Sequence, residues 1–518
     1  MDGPSSGLAA TFSLKGEGLQ QEVPSGVGRR PSPFRERVPA RAGEGLLFVL
    51  ILFIGTFLRF HALDRQSLWD DEMSTVHTIT VPRSQIIHRF KTYETHPPLY
   101  FLQLRLWRAL GGRSLVRLRA NSAVWGSIGL VAIFALARLY YGSIGGLLAM
   151  GLLAFSPFHL AYSQEARPYA LGITLGIVSL WVLENALRTG KFWYYVLLAM
   201  SWTALLYTHY WGAFVVGAQA LYGFLQCHPP RFLAGDPWIA PQRPGGMTRI
   251  VICAAVASAL FAFWLPVFAA QLGIVNGLTF WVPLFSPANL VKTLAAFTGL
   301  YFNMASSVFY LHTTVGFMVL FGIVFLNALI LGLWKGPLSA KLWLVVGLMV
   351  PWLLSLWKIS IYVWYRYPIL ILPAFILLIT AGLRSPKSPW LRGALSAILL
   401  ASQIWACHTY FTTWQKANPK AVVQYVHWLR KPNTVVVRPP YFADLFNFYD
   451  QGTLPSIDQN QLDSPEKRAR LKGKDIILLA FDVPSDPVTE AFLAEFHPLT
   501  GRYFPGFAHL GITVYRLK

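Results

Sequence analysis

The sequence contains few charged residues and especially few acidic ones. Only 13% of its 518 residues are charged, with 44 Lys and Arg against 23 Asp and Glu, whereas about a quarter of a soluble domain is charged. Together with 54% hydrophobic residues, this scarcity predicts lipid as the surroundings of most of the chain. The net charge of +21 does not indicate a nucleic-acid partner, because much of the basic charge lies in short loops between apolar runs. There it orients helices and meets anionic membrane lipids.

Cysteine is equally scarce. Cys227, Cys253 and Cys407 lie in or beside apolar segments and show no CxxC or metal-ligand spacing, so they are interpreted as small buried hydrophobic residues. The sequence also has no recognisable internal repeat, which weakens the case for a transporter built from inverted halves.

Apolar runs predict eleven transmembrane helices. Residues 1–44 are rich in Gly, Pro, Ser and Arg and are predicted to form a disordered cytoplasmic tail; residues 46–60 then act as a signal anchor. Further runs of spanning length lie at 120–139, 143–161, 168–187, 192–207, 209–226, 250–271, 310–333, 341–357, 367–383 and 391–410. With this count every inner loop carries Lys or Arg, as the positive-inside rule requires.

Two other apolar stretches, 97–112 and 289–304, leave a count of thirteen open. Counting only one of them as a span would reverse the predicted orientation of every later span and loop. Both are therefore predicted to be helices lying on the outer surface. The first outer loop, 62–118, contains many arginines, but long loops cross a membrane regardless of charge.

The last hundred residues have a different character. From residue 412 the chain becomes polar, with an amphipathic stretch at 421–429 and β-like runs at 434–437, 476–481 and 507–515. The predicted fold is therefore mainly α, a polytopic membrane domain over 45–411 followed by a small extracytoplasmic α/β domain over 412–518.

Three adjacent carboxylates follow the first span. Asp70, Asp71 and Glu72 come directly after Trp69, and each ionised group near lipid costs a few kcal/mol. One alternative is an acidic start to the next helix, where Asp and Glu suit the helix dipole. A helix start needs one acid rather than three, which favours a functional cluster.

Four further polar clusters are predicted on the same outer side. His96 precedes a Pro pair, which could simply start a helix, and the Glu165–Arg167 pair could simply lock its loop. His209 and Arg366 could be interface anchors at helix ends. The candidate residues of these clusters are His96, Glu165, Arg167, Tyr169, His209, Tyr210 and Arg366.

This set of side chains suits the transfer of a group from a phosphate-linked donor. A carboxylate would take the proton of an acceptor hydroxyl, and cationic side chains or a metal would stabilise charge on the departing phosphate. Because a lipid phosphate leaves readily, no general acid is needed.

The order of five motifs resembles a known enzyme family. LWDDE at 68–72, THPPLY at 95–100, SQEARPYAL at 163–171, YTHY at 207–210 and YRYPILILPAF at 365–375 resemble bacterial GT-C class membrane glycosyltransferases. Within that class, the chain is similar to protein O-mannosyltransferases and lipid A aminoarabinose transferases over residues 45–411. The resemblance does not extend to the C-terminal domain.

The resemblance implies the reaction and the roles of the site residues. It implies a polyprenyl-phosphate sugar donor, a lipid, glycan or protein acceptor, transfer with inversion at the outer leaflet, and two surface helices in the first loop. By position, Asp71 resembles the catalytic acid, with Glu72 as its neighbour and Glu165 as the second acid. The resemblance implies donor-phosphate contacts for His96, Arg167 and Arg366. The additional acid Asp70 departs from the family pattern and leaves open which of the adjacent residues Asp70 and Asp71 is the base. Whether a divalent metal takes part is also left open.

The topology predicts a multi-pass protein of the inner (plasma) membrane, with a cytoplasmic N-terminus and an outward-facing site and C-terminal domain. The alternative function is a transporter or flippase of a lipid-linked saccharide. A transporter would place ionisable groups at mid-membrane on broken helices, whereas here they cluster at helix ends. A cell-surface scaffold would leave the three acids unexplained.

Overall fold

The computed structural model describes most of the chain and is mostly helical. It describes residues 42–112, 114–229, 245–277, 286–300, 311–357, 361–364, 366–412, 418–462, 464–481, 487–496, 498–504 and 512–517. Of the tail expected over 1–44, residues 1–41 lie outside the described ranges.

The membrane part contains sixteen α-helices within the described ranges. They are α1 Ala42–Phe60, α2 Asp70–Thr80, α3 Ile86–Thr92, α4 Leu99–Gly111, α5 Leu115–Ala154, α6 Pro157–Ser163, α7 Tyr169–Thr189, α8 Phe192–Leu206, α9 Gly212–Cys227, α10 Gly246–Ala262, α11 Leu265–Gly277, α12 Ala288–Phe297, α13 Leu311–Lys335, α14 Leu338–Leu354, α15 Leu372–Leu383 and α16 Pro389–Thr412. Most of their buried apolar faces form one core, and α2, α3, α4 and α11 contribute to a second cluster that also contains Leu118 of α5.

Several of these helices are long and apolar enough to cross a membrane. Among the described residues, α1, α5, α7, α13 and α16 meet this test by length and composition. The pair α10 and α11, bent by 64°, adds a sixth span if it is counted as one. Shorter apolar helices lie at Phe192–Leu206, Gly212–Cys227, Leu338–Leu354 and Tyr367–Leu383. The chain is thus a multi-pass membrane protein, and eleven spans stays a prediction.

The 40-residue helix α5 is two helices that fold back on each other. Gly142 has φ +72° and ψ −178°, a backbone conformation that glycine adopts without penalty. A Cβ built on Gly146 would lie 3.0 Å from the carbonyl oxygen of Phe134, although twelve residues of straight helix extend about 18 Å. The chain therefore reverses at Gly142, inside the loop predicted between the second and third spans.

The two stretches predicted as surface helices correspond to α4 and α12. In α4, Leu102, Leu106 and Leu110 are exposed, whereas Tyr100 and Leu104 are fully buried. An apolar stripe left uncovered on one side of a short helix suits a position at the lipid interface. The position of both helices relative to the membrane stays a prediction.

The C-terminal residues form a five-stranded mixed sheet with helices. Its strands are β1 Thr434–Arg438, β2 Ser456–Asp458, β3 Asp475–Phe481, β4 Pro498–Phe504 and β5 Ile512–Leu517. The order is β2-β1-β3-β5-β4, with β1 parallel to β2 and β3 and with β5 antiparallel to β3 and β4. The helices are α17 Pro419–Leu429, α18 Ala443–Asp450, α19 Pro465–Ala469 and α20 Pro487–Glu495. Strands thus occur in the runs predicted at 434–437 and 476–481, while 507–511 lies outside the described residues.

This C-terminal unit packs directly on the loop that follows α1. Leu68 and Met73 share a hydrophobic core with Val423 and Phe446, and the backbone N–H of Leu68 donates a 2.7 Å hydrogen bond to the hydroxyl of Tyr449. The C-terminal unit therefore supports the start of α2, the helix that carries the three acids.

Candidate active site

The three adjacent acids occupy the first turn of α2 and differ in their access to solvent. Trp69 stands at the N-cap and makes no side-chain cap, so Asp70 is the first helical residue. Asp70 is exposed, the Asp71 side chain is 20% exposed and the Glu72 side chain is 0% exposed. Only Asp70 and Asp71 are therefore open to an approaching substrate in this structure.

Glu72 is held in a buried ion pair with Arg119. The Arg119 guanidinium donates from Nε to Glu72 Oε1 at 2.8 Å and from Nη2 to Oε2 at 2.5 Å. The backbone N–H of Ala166 donates to the same Oε1 at 3.0 Å. Such a bidentate pair fixes both partners in one geometry, so Glu72 anchors α2 to the rest of the membrane domain.

Arg119 uses its other donors to hold the loop before α2. Its Nη1 donates to the carbonyls of Leu63 and Gln66, at 2.6 and 2.8 Å, and its Nη2 donates to that of Ser67 at 2.9 Å. All five N–H groups of the guanidinium are thus accounted for, and the side chain is only 1% exposed. Arg119 therefore ties the three-acid turn in place.

Asp71 faces a buried cation. Its Oδ2 lies 2.8 Å from Nη1 of Arg366, and the Arg366 guanidinium lies over the Trp69 ring at 5.1 Å. Burial alone would lower the pKa of Arg366, but Asp71 and the neighbouring tyrosines together outweigh burial and raise that pKa well above its usual value. Arg366 therefore stays a cation beside a partly open carboxylate.

Asp70 stands next to this pair. Part of the residue reaches solvent, yet loss of hydration around its carboxyl, with the like charge of Asp71, raises the pKa of Asp70 to about 6. Asp70 therefore begins to lose its charge just below neutral pH.

Arg167 connects the loop before α7 to α2. Its Nη1 donates to the backbone carbonyl of Asp71 and to Oγ1 of Thr75, both at 3.1 Å, and its Nη2 lies 3.0 Å from Nδ1 of His96. Burial opposes its charge, but Glu94 and Asp71 raise the pKa of Arg167 above its usual value. Arg167 therefore orients Asp71 through the main chain.

Glu94 completes this network and was not recognised from the sequence. Its Oε1 lies 2.9 Å from Nδ1 of His96, and its Oε2 lies 3.7 Å from Nη1 of Arg167. Burial opposes ionisation of Glu94, yet Arg167 and His96 hold its pKa at about 2. Burial and the charge of Arg167 together lower the pKa of His96. Glu94 thus supplies the negative charge that neutralises Arg167.

Ionisation of Glu94 is expected to stabilise the protein above its unfolded-state pKa of about 4.5. Because the folded-state pKa is depressed to about 2, this stabilisation, on the order of 3 kcal/mol, is lost as pH falls from about 4.5 towards 2. We expect Glu94→Gln to lower the midpoint of thermal unfolding at pH 7, and the difference from wild type to shrink towards pH 3. A difference that does not change with pH would contradict this account.

The other predicted residues take separate positions around the network. Glu165 is 2% exposed, and its charge contributes to raising the pKa of Arg119. Tyr169 and His209 pack close to His96, with the two ring centroids 6.3 and 5.1 Å from the His96 ring. Tyr210 turns towards the bent helix pair, where it accepts a 3.0 Å hydrogen bond from Nε1 of Trp264. The structure thus brings His96, Tyr169 and His209 together and leaves Glu165 and Tyr210 outside the group.

Two signals in the sequence could have identified the missed residues. Arg119 directly precedes an apolar run predicted to begin at 120, and a charge at such a position needs a partner. Glu94 stands two residues before His96, within reach of the same helix start. Gln271, which donates to the backbone carbonyl of Glu94 at 2.7 Å, gave no comparable signal because it lies inside an apolar run.

No metal-binding group was found among the residues that the structure describes. These residues contain no set of three or more His, Cys, Asp and Glu side chains placed to hold a metal ion.

Comparisons with known proteins fit this arrangement. Residues 95–240 match the family model of dolichyl-phosphate-mannose-protein mannosyltransferases, a segment that contains His96, Arg167 and His209 but neither Asp71 nor Arg366. No curated protein matches the sequence.

Several solved structures share the fold. The oligosaccharyltransferase of Archaeoglobus fulgidus tethered to an acceptor peptide is 10% identical, with a TM-score of 0.53 over 89% of this chain and 73% of that chain. The oligosaccharyltransferase AglB from the same organism, in complex with an inhibitory peptide and a dolichol-phosphate, is 11% identical, with a TM-score of 0.51 over 84% of this chain and 69% of that chain. ArnT from Cupriavidus metallidurans bound to undecaprenyl phosphate is 12% identical, with a TM-score of 0.49 over 92% and 98%.

The family-model match and the two archaeal structures, whose TM-scores exceed 0.5, confirm the resemblance that the motifs indicated. The chain is a multi-pass membrane protein with the fold of GT-C class glycosyltransferases, and its residues 95–240 are similar to the dolichyl-phosphate-mannose-protein mannosyltransferases.

Proposed function

We propose that the chain is a glycosyltransferase that moves a sugar from a polyprenyl-phosphate donor to an acceptor hydroxyl of a lipid, glycan or protein. The observation that carries this proposal is the partly open Asp71 carboxylate, 2.8 Å from the buried Arg366 guanidinium. A base and a cation side by side suit a reaction in which a proton leaves one substrate while negative charge builds on the other. The relatives bound to dolichol-phosphate and undecaprenyl phosphate support a lipid phosphate as the leaving group.

The proposed step is a single displacement with inversion. The Asp71 carboxylate takes the proton of the acceptor hydroxyl, whose oxygen forms a bond to the anomeric carbon of the sugar. The bond from that carbon to the phosphate oxygen breaks, and the electron pair leaves with the polyprenyl phosphate. Arg366 stabilises the phosphate dianion that forms, and its shift towards the phosphate weakens its hold on Asp71. Glu72 and Arg167 position Asp71 through α2.

The site is proposed to open at the outer face of the inner (plasma) membrane, with the N-terminus in the cytoplasm. Support comes from the basic inner loops that the eleven-span topology predicts. The C-terminal unit, which packs on the loop before α2, would then also lie outside.

Sugar release from a panel of polyprenyl-phosphate donors tests the proposal. Purified protein in detergent, supplied with membrane lipid extract as acceptor, should release polyprenyl phosphate and form a glycosylated product. A folded protein that releases no sugar from any donor, and instead moves a lipid-linked saccharide across vesicles, would contradict the proposal and support a flippase.

Arg366→Lys is expected to raise the KM for the donor about 10- to 100-fold, because a hydrogen bond to a charged group contributes about 1.5–3 kcal/mol and lysine cannot reproduce the guanidinium fork. Donor-concentration series with wild type and variant measure this change. Arg438→Lys, which alters an Arg–Asp pair within the C-terminal unit, is the matched control and should leave KM unchanged. An unchanged KM in Arg366→Lys would remove Arg366 from the donor site.

A further inference from the structure

A cluster of rings adjoins Asp71 and Arg366 and is not used by the proposed transfer step. The ring of His209 lies 5.1 Å from His96, 5.5 Å from Tyr169 and 5.4 Å from Tyr367, and the ring of Trp211 lies 5.8 Å from Tyr367. These five side chains come from the turn before α4, the start of α7, the turn between α8 and α9, and the segment before α15. We call them the ring cluster.

The ring cluster contains buried hydrogen-bond donors that lack acceptors. The backbone N–H of Trp211 donates to Nδ1 of His209 at 3.0 Å, so in the neutral imidazole the proton sits on Nε2. Within the described residues, His209 Nε2 and Trp211 Nε1 are buried and have no hydrogen-bond partner. Nε of Arg167, whose side chain contacts His96, is also buried and has no hydrogen-bond partner among the described residues.

Each of these three groups can only donate. The indole N–H and the guanidinium N–H have no acceptor capacity, and Nε2 of His209 carries the ring proton because Nδ1 accepts from the backbone N–H of Trp211. Tyr169 Oη, also buried without a partner among the described residues, can either donate or accept. A group that binds here must therefore bring oxygen acceptors.

The charges around the ring cluster also favour a ligand that brings oxygen acceptors. Arg167 and Arg366 are cations, and the two carboxylates that face them are already paired, Glu94 with Arg167 and His96, and Asp71 with Arg366. An ammonium group entering this region would meet donors and cations, and of the four unpartnered groups named above only Tyr169 Oη could accept from its N–H groups. Hydroxyl, carboxylate and acetamide oxygens meet donors instead.

Resting on the proposed transfer reaction, we propose that the ring cluster selects the donor sugar and favours a neutral or acidic sugar over an amino sugar that carries an ammonium group. His209 and Trp211 donate hydrogen bonds to oxygens of that sugar. A site built from unpaired donors rejects a ligand that cannot satisfy them far more strongly than an apolar pocket rejects an extra methylene.

The test compares two polyprenyl-phosphate donors that differ at one position. One carries a hexose, and the other carries the same hexose with one hydroxyl replaced by an amino group. We expect wild-type kcat/KM for the hexose to exceed that for the amino sugar about 100-fold. Trp211→Phe keeps the ring but removes the N–H, and it should reduce this ratio to about a tenth.

Trp343→Phe is the matched control. Trp343 is also buried, with an Nε1 that has no partner among the described residues, but it lies on α14 against Gly176. We expect the ratio to remain at its wild-type value in this variant. Tyr169→Phe provides a second test if Trp211→Phe does not fold, and we expect it to reduce the ratio of the two kcat/KM values by a smaller factor.

The outcomes separate this inference from the proposed function. Transfer that is equal for both donors, or faster with the amino sugar, would overturn the inference and leave the transferase assignment intact. A ratio unchanged in both Trp211→Phe and Tyr169→Phe would do the same. A folded protein inactive on both donors, and on the wider panel, would overturn the proposed function itself.

Discussion

Asp71→Asn is expected to reduce the rate of sugar transfer about 100- to 10,000-fold, the range that a positioned general base contributes. The amide keeps the size and the hydrogen-bonding reach of the carboxylate but cannot take a proton. The substitution leaves the Glu72–Arg119 pair intact but deprives the buried Arg366 of its carboxylate, so we expect a lower midpoint of thermal unfolding and assay the variant at a temperature at which it remains folded. Single-turnover sugar release, with donor bound at saturation, measures the chemical step apart from donor affinity.

Two neighbouring acids serve as controls for Asp71. Asp70→Asn changes the adjacent exposed carboxylate, and Asp444→Asn changes an acid of the C-terminal unit that lies 3.5 Å from Nδ1 of His77. Both should retain most of the activity. If Asp70→Asn were inactive and Asp71→Asn normal, the base would be Asp70, and the proposed role of the Asp71–Arg366 pair would be wrong.

Arg119→Ala is expected to lower the free energy of unfolding by about 3–5 kcal/mol, the usual cost of removing one partner of a buried ion pair. The substitution leaves Glu72 buried without its cation and releases the three carbonyls of the loop before α2. Activity should fall as well, because α2 carries Asp71. Thermal unfolding in detergent measures the loss of stability.

The double variant Arg119→Met with Glu72→Met tests whether Glu72 anchors α2 or takes part in the chemical step. Replacing both members of a buried pair by apolar side chains is often far less costly than removing one, so the double variant should be more stable than either single variant. Arg516→Lys, which alters a partly exposed ion pair with Asp475, is the control for a general effect of Arg substitution. A Glu72→Gln variant with normal stability and no activity would show instead that Glu72 acts in the chemical step.

Much of the architecture followed from patterns that are local in the sequence. A hydrophobic run long enough to cross a bilayer must form a helix, since its backbone polar groups find no other partners in lipid. For this reason apolar helices lie where the runs were predicted. The strands at 434–437 and 476–481 followed instead from short β-like runs in the polar C-terminal residues. The motifs around Asp71, His96 and Arg167 also carried enough information to indicate the GT-C fold, which the structural comparisons confirm.

The assignment of partners within the site depended on the tertiary structure. Asp71 and Glu72 are adjacent and chemically alike, yet one faces Arg366 and the other is enclosed by Arg119, because successive residues of a helix point about 100° apart. Arg366 lies almost three hundred residues from Asp71 in the sequence. Glu94 neutralises Arg167 from a different loop, and no periodic pattern in the sequence predicts that contact.

The sequence by itself determined the membrane environment, the positions of the apolar helices and the set of candidate residues, because hydrophobicity and motif spacing are properties of short segments. Only the tertiary structure decided which acid is open and which is an anchor, and where unpaired donors gather beside the site. Those properties depend on distances between segments far apart in the chain, and ion pairs and hydrogen bonds act over only a few ångströms.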